Sequence, residues 1–392
     1  MTTLLKWLSF LFFLTKYKLG MVKHQLRGKL LVDKLKKMGV LFVKVGQILS
    51  IQYNCMDSET RDELRKLQSQ NDGTDYRKFE IKDVVVQAQP FACGSIAHVY
   101  KGTYKGKIVA VKVLRANVLE DLAATRKVLG SVSWLMKVCP KRIKRLGLQK
   151  LGQVLLHIME TQLNFRNELD NWRHMVANYR GTDIYIPHMY EELCSETVLV
   201  MDYVDGYTVY DMHTLPIEVV SEKAKELVRV FFRGLFKEGM IHGDCHAGNI
   251  FWTKDTLKLG FYDFGIVQKI DKETSRTFIK LYGSLFMGDL DAAANVIIHS
   301  FIEAGEDSNN ILALQRMFHT RLSKGVENVN VIKDFHQLYS SSDIMLRHDF
   351  TITNITLLNI DGILEAMAHR FDIIKIVKEL MKEMIMNGEI DL

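Results

Sequence analysis

Between Met240 and Gly265 the chain reads MIHGDCHAGNIFWTKDTLKLGFYDFG, and no other stretch restricts its fold as much. The fixed points are Asp244, Asn249 five residues on, and Asp263 at the head of Asp-Phe-Gly. Kinase-type phosphoryl transfer needs a carboxylate near the acceptor hydroxyl, with an amide and a second carboxylate that hold Mg²⁺ on the phosphates. Either motif alone recurs by chance. Together, each leading out of or into an apolar strand-like run, they are specific. Asp244 is therefore the candidate catalytic carboxylate, and Asn249 and Asp263 are the candidate metal ligands.

Upstream, the apolar period changes to that of strands from Val84. V-V-V-Q-A-Q reads as one strand and S-I-A-H-V-Y-K-G-T-Y as a second; Lys105-Gly106 turns the chain into a third, K-I-V-A-V-K-V-L. Between the first two lies P-F-A-C-G-S, expected as a loop of small residues whose backbone amides approach phosphates closely. Ala92, Cys93, Gly94 and Ser95 are its candidate nucleotide contacts. Val-Ala-Val-Lys112 places a lysine where kinase-like folds put the phosphate-binding ammonium. Helices are expected over Asn117–Val138 and from Gln149 to about Asn178. The second contains Glu168, the candidate partner that orients Lys112; the bland alternative is an acid on a solvated helix face. V-L-V-M-D-Y-V-D-G (198–206) reads as a buried strand ending in a hinge. In kinase-like folds the adenine lies against this segment, which makes Met201 and Tyr203 candidate contacts.

The larger lobe is expected from near Tyr207. Leu227, Phe231 and Leu235, with Val228, Phe232 and Phe236, recur at helical spacing and form a core-facing stripe before the catalytic loop. Beyond Asp263 the pattern is helical from Lys272 to the end, with no Ala-Pro-Glu and no long activation segment. The parts that dock a protein substrate in ordinary protein kinases are missing, which moves the acceptor toward a lipid or small molecule. His242, Cys245 and His246 invite a zinc reading, but no fourth ligand stands at a suitable spacing; the simpler expectation has His242 bonding backbone carbonyls around the loop.

At 392 residues the chain is long enough for two or three units. Its five scattered cysteines, without a Cys-x-x-Cys pair, suit a reducing, intracellular compartment. Charge is uneven: residues 1–50 hold ten lysines and arginines against the single acid Asp33. Such a basic front end suits an anionic membrane surface or an organelle address. No zinc-finger, recognition-helix or aromatic-basic motif supports nucleic acid. The most apolar run, Leu4 to Leu14, would span only about 16 Å as a helix at ~1.5 Å per residue, against a hydrocarbon core of ~30 Å. It is too short to cross a bilayer unaided but suits the interface, with Trp7 and the lysines at headgroup level. Residues 38–70 read as helical, with Lys44 and Gln47 sharing a face and Leu41, Val45 and Leu49 forming an apolar stripe at helical spacing.

With these residues in place, the chain resembles the UbiB/ADCK family of atypical protein-kinase-like proteins over about residues 38–290. The resemblance rests on K-V-G-Q (Lys44–Gln47), A-C-G-S-I-A-H-V, V-A-V-K-V-L-R, N-F-R-N-E (164–168), V-L-V-M-D-Y-V-D-G, H-G-D-C-H-A-G-N and D-F-G. It implies an α+β, bilobal kinase-like fold: a basic, apolar segment (1–37), a helical K-x-G-Q extension (38–80) laid over the active site, an N-lobe (81–205) and a mostly helical C-lobe (206–392). It also implies ATP and Mg²⁺ as cofactors, ATPase-like or kinase activity, and a link to prenyl-quinone (ubiquinone) lipid synthesis at membranes with protein partners of a lipid-synthesis complex. Lys44 and Gln47 join the nucleotide site on this basis. Two positions depart from the family. Gln162 and Asn164 stand where it usually has Glu and Asp, so the pair facing Lys44 keeps its hydrogen-bonding shape but not its charge. Gly94 replaces one alanine of the family's loop. A nucleotide-gated scaffold without phosphotransfer is the alternative. An aminoglycoside- or choline-kinase-like enzyme shares the H-G-D-x-H-x-x-N loop but not the K-V-G-Q helix.

Overall fold

The computed structural model describes residues 9, 12–13, 16, 27–38, 42, 80–94, 96–115, 118–127, 130, 156, 159–160, 163–302, 316, 347–367 and 373–391. Lys44, Gln47, Ser95 and Gln162, and with them the K-V-G-Q helix, lie outside the described residues. The chain divides into two compact units: residues 1–169 with 188–203, and residues 170–187 with 204–392.

In the first unit, helix α1 (Arg27–Met38) buries Leu31, Leu35 and Met38 at helical spacing and leaves Lys29, Lys36 and Lys37 exposed. Among the described residues, no helix is long and apolar enough to cross a membrane. Strands β1 (Val84–Cys93), β2 (Ala97–Tyr104), β3 (Lys107–Leu114) and β4 (Val198–Asp202) form an antiparallel sheet in the order β1-β2-β3-β4. Lys105 and Gly106 both take positive φ (47° and 77°), as a two-residue hairpin turn of this hand requires. Side chains alternate across the sheet. Tyr100, Tyr104, Val109, Val111, Val113 and Val200 occupy one face and build a core with Tyr190. Register puts Ala92, Val99, Ala110, Lys112, Leu199 and Met201 on the other.

Two local expectations change here. β1 continues through Pro90–Cys93, bulging on either side of Pro90, so the loop shrinks to residues 94–96. Proline has no N–H to give a ladder, and a bulge accommodates it. The helix expected from Gln149 to about Asn178 is interrupted at 163–164. Asn164 Oδ1 accepts the Arg166 N–H at 3.0 Å and so starts a new helix, α2 (Phe165–Asn178).

In the second unit, β5 (Gly206–Thr208), β7 (Ile250–Thr253) and β8 (Leu259–Phe261) form one sheet, while β6 (Met240–His242) pairs with β9 (Val267–Lys269). Helix α3 (Ile217–Arg233) carries the expected stripe and ends in a wider π turn, Gly234–Glu238. A Cβ at Gly234 would lie 2.4 Å from Met240 O, so only glycine lets the helix end lie against the strand that follows. The later helices are α4 (Lys272–Met287), α5 (Leu290–Ser300), α6 (His348–Ala366) and α7 (Ile373–Met386). Asp271 and Asp289 cap α4 and α5 by accepting from Thr274 N and Ala292 N. Arg229 pairs with Glu383, and Arg233 with Glu389 at 2.8 Å, binding the C-terminal residues to α3.

Candidate functional site

Lys112 and Glu168 meet inside the first unit. Lys112 Nζ donates to Oε1 at 2.7 Å and to Oε2 at 2.9 Å, and the side chains are 14% and 6% exposed. The ammonium also stands 5.2 Å over the Phe165 ring. Glu168 lies in the first turn of α2, where the positive end of the helix dipole favours a carboxylate. It is therefore an internal partner and not a solvated acid.

Ala92 and Met201 share the face of Lys112, through the pairs Ala92↔Val99↔Lys112 and Ala110↔Met201. Cys93 opposes His98 and points to the other face, so only its backbone is available on the Lys112 side. Gly94 N–H donates to Ala97 O at 2.8 Å, closing the turn, and a Cβ there would make only ordinary contact with that oxygen at 3.4 Å. The amide expected to approach phosphate is thus already engaged. Tyr203 stands just past β4 with its ring beneath Lys101 Nζ at 4.0 Å and edge-on to Phe91. Lys44, Gln47 and Ser95 are outside the described residues.

In the second unit topology gathers the remaining residues. Asp244 follows β6, Asn249 precedes β7, Asp263 follows β8, and β9 comes next. Because β6 pairs with β9 and β7 with β8, all three side chains emerge at the same end. Backbone bonds tie the two loops together: Gly243 N to Ile266 O at 2.9 Å and Tyr262 N to Asn249 O at 3.0 Å. Asn249 Nδ2 donates to Asp244 O at 3.0 Å and, more weakly, to Asp244 Oδ2 at 3.4 Å. Among the described residues its Oδ1 receives no hydrogen bond. Asp263 Oδ1 accepts the Gly265 N–H at 2.8 Å. A Cβ on Gly265 would come within 2.9 Å of that oxygen, so the glycine leaves room for the carboxylate it holds.

His242 sits between the two loops. It bonds the Asp263 carbonyl through Nε2 and accepts the Asp244 N–H on Nδ1 at 3.3 Å, which assigns the proton to Nε2. The ring stacks on Phe261 at 4.9 Å. Burial pushes its pKa down, against the opposing pull of the Asp244 and Asp263 charges, so the neutral form is favoured. Burial likewise pushes the Cys245 thiol up; it donates to His242 O. His246 Nδ1 accepts from Gly248 N at 3.0 Å, and its Nε2 lies 3.8 Å from Asp244 Oδ2.

Helix α6, which carries none of the motif residues, supports this corner from below. Buried Thr356 donates its hydroxyl to Gly243 O at 3.1 Å, Ile352 lies where a Gly243 side chain would go, and Asp349 O accepts from Gln268 Nε2 at 2.9 Å. Residues 349, 352 and 356 share one helix face; only that spacing hinted at a common role in the sequence.

A four-stranded sheet bearing a buried lysine–glutamate pair, and two strand pairs presenting an aspartate–asparagine loop beside Asp-Phe-Gly, define a kinase-like protein of mixed helix and sheet. The chain belongs to the ABC1 atypical kinase-like family, whose domain matches residues 63–297, more than half of its length. It is 25% identical over 388 residues to the probable protein kinase UbiB of Shewanella woodyi, covering 92% of this chain and 70% of that protein. Among solved structures it is similar to the Mycobacterium tuberculosis protein Rv3197 in its complex with erythromycin. The TM-score is 0.56 at 19% identity, over 86% of this chain and 85% of that one, a likeness of fold alone.

Proposed function

We propose that the chain binds ATP with Mg²⁺ as an atypical kinase or ATPase, acting on a lipid or small molecule in support of prenyl-quinone lipid synthesis at a membrane surface. The observation that carries this is the buried Lys112–Glu168 pair, because a lysine held by a bidentate carboxylate is the device that kinase-like proteins use to grip nucleotide phosphates. Lys112 contacts the α- and β-phosphates, and Glu168 keeps its ammonium in place. Asn249 and Asp263 are the residues that would hold Mg²⁺. Both offer oxygen, the donor this hard cation prefers, and Asn249 Oδ1 is turned from its own amide bond to Asp244 and receives no donor among the described residues. Bound there, the ion would offset charge on the phosphates. Asp244 positions the acceptor hydroxyl or water and takes its proton. Ala92, Met201 and Tyr203 border the nucleotide; Lys44 and Gln47, outside the described residues, join this assignment through the family resemblance alone.

Membrane contact rests on the basic front end. Lys29, Lys36 and Lys37 are exposed along α1, and each such charge near an anionic surface contributes about 1 kcal/mol. The protein is then intracellular and peripheral to its membrane. The deciding experiment is ATP hydrolysis by the purified protein with Mg²⁺, with and without anionic-lipid vesicles, comparing wild type with Lys112→Ala and Asp263→Ala. Turnover that needs both residues and rises with vesicles supports the assignment; unchanged Mg-ATP binding and turnover in Asp263→Ala sinks it. A nucleotide-gated scaffold is the second reading. It is favoured by Asn164, whose amide caps α2 and carries no charge. Nucleotide binding with no turnover in any lipid would select it.

A further inference from the structure

Four helices of the second unit leave a cavity between them. Phe232 of α3, Phe278, Tyr282 and Phe286 of α4, Leu357 of α6 and Ile374 of α7 are among its walls, and its empty volume is about 650 Å³, part of it open to solvent. Among the described residues no charged side chain lines it. An ionic ligand would have to shed its water with nothing in return, so a charged occupant is disfavoured. A cavity walled this way also gains little from water, because water needs several polar partners.

Two polar atoms break the apolar lining. Tyr282 packs by its ring against Phe232 and Phe236, at 5.0 and 5.7 Å, yet its hydroxyl makes no hydrogen bond to any described residue. Burial alone pushes that hydroxyl's pKa up, which keeps it protonated and able to donate. Asn354 gives its amide N–H to Phe350 O at 3.3 Å, and its Oδ1 receives no donor among the described residues. Thr353, the other polar residue of the wall, is already bonded to Asp349 O. Tyr282 and Asn354 thus bring one unused donor and one unused acceptor to a hydrocarbon and aromatic wall.

We propose that this cavity binds one uncharged, mainly hydrocarbon molecule carrying a single hydroxyl or carbonyl group, with the chain against the Phe232, Phe278 and Leu357 side chains and the polar group between Tyr282 and Asn354. The site contains none of the residues assigned to phosphoryl chemistry. Its test uses no nucleotide, so failure here would leave the ATP assignment standing.

The probes are straight-chain alcohols from hexanol to dodecanol, titrated calorimetrically into the full-length protein below their micellar concentrations. Saturable one-to-one binding is expected, with Kd falling about fourfold for each added methylene until the space is filled. The alkanoate and alkylammonium of the same length should bind at least ten times more weakly. Ile374→Trp, at a partly exposed wall position, should fill the cavity and abolish binding. Tyr282→Phe should weaken the alcohols about fivefold while leaving octane unchanged. The second variant keeps the ring and its packing, so it decides the matter even if the tryptophan variant does not fold. Absence of saturable binding, equal affinity for the charged analogues, or alcohol affinities unmoved by Tyr282→Phe would overturn the proposal.

Discussion

Lys112 Nζ lies within 2.9 Å of both carboxylate oxygens of Glu168, although the two residues stand 56 positions apart in the chain. The pair is nearly enclosed, so removing one charge leaves the other poorly compensated in a buried place. Glu168→Leu should lower the unfolding free energy by about 3 kcal/mol, because it leaves a buried ammonium without its carboxylate. Lys112→Met combined with Glu168→Leu should recover most of that loss, since well-packed apolar replacements of a buried pair are often neutral. The double variant should nevertheless bind no Mg-ATP. Urea unfolding and nucleotide titration on the same samples separate the two effects. If the double variant is as unstable as the sum of its parts, the pair is not the coupled unit described.

Gly265 gives the sharpest test of the metal assignment. Its N–H holds Asp263 Oδ1, and an added methyl would come within 2.9 Å of the same oxygen. The atom that must yield is the tip of a side chain, so the fold should tolerate Gly265→Ala with a loss within about 1 kcal/mol. Asp263 should not keep its position. The Mg²⁺ concentration needed for half-maximal turnover should rise about 10–100-fold, the usual consequence of disturbing the support of a metal ligand. A stable variant with an unchanged Mg²⁺ requirement would remove Asp263 from the metal site.

These two devices were legible to different degrees in the sequence. K-I-V-A-V-K-V-L is a short run rich in β-branched residues after a turn, so β3 follows from it, and the Lys105-Gly106 turn agrees with its positive φ angles. The offsets among Asp244, Asn249 and Asp263 are local, and the strand pairs that close them into one corner are short. What escaped depended on contacts between distant segments or on competition within one. The run at 90–95 suggested a loop, yet pairing with β2 holds residues 90–93 in a bulged strand. A continuous helical pattern hid the break at Asn164, where a side-chain cap outweighs helix propensity. Nothing near Met240–Gly265 announces α6, because Thr356 meets Gly243 across 113 positions.

That last contact is itself testable. Thr356→Val keeps the shape of the side chain but strands the Gly243 carbonyl inside the protein. A loss of about 1–2 kcal/mol is expected in thermal or urea unfolding. Asp244 is the next residue, so kcat should fall as well, by up to about 100-fold if the loop moves by an ångström, with KM for ATP little changed. Thr356→Ser restores the hydroxyl and should restore kcat. If both substitutions leave kcat at the wild-type value, α6 does not position the loop.

His242 predicts how the metal-free protein responds to acid. Its folded-state pKa lies below the ordinary value near 6.5, because burial opposes the charged ring more than Asp244 and Asp263 favour it. The unfolded chain therefore binds a proton that the folded chain resists. Above about pH 6.5 neither state is protonated and the contribution to stability is complete. As pH falls below that value the unfolded state gains protons first, and stability declines until the folded-state pKa is passed, at a slope of up to about 1.4 kcal/mol per pH unit from this group. His242→Gln cannot titrate and should remove that part of the slope between pH 6.5 and 5, at the cost of a lower starting stability. The comparison is made by urea unfolding in EDTA, which keeps cations away from Asp263. Parallel curves for the two proteins across this interval would mean that the buried ring accepts a proton without penalty, contrary to the hydrogen bonds it makes on both nitrogens.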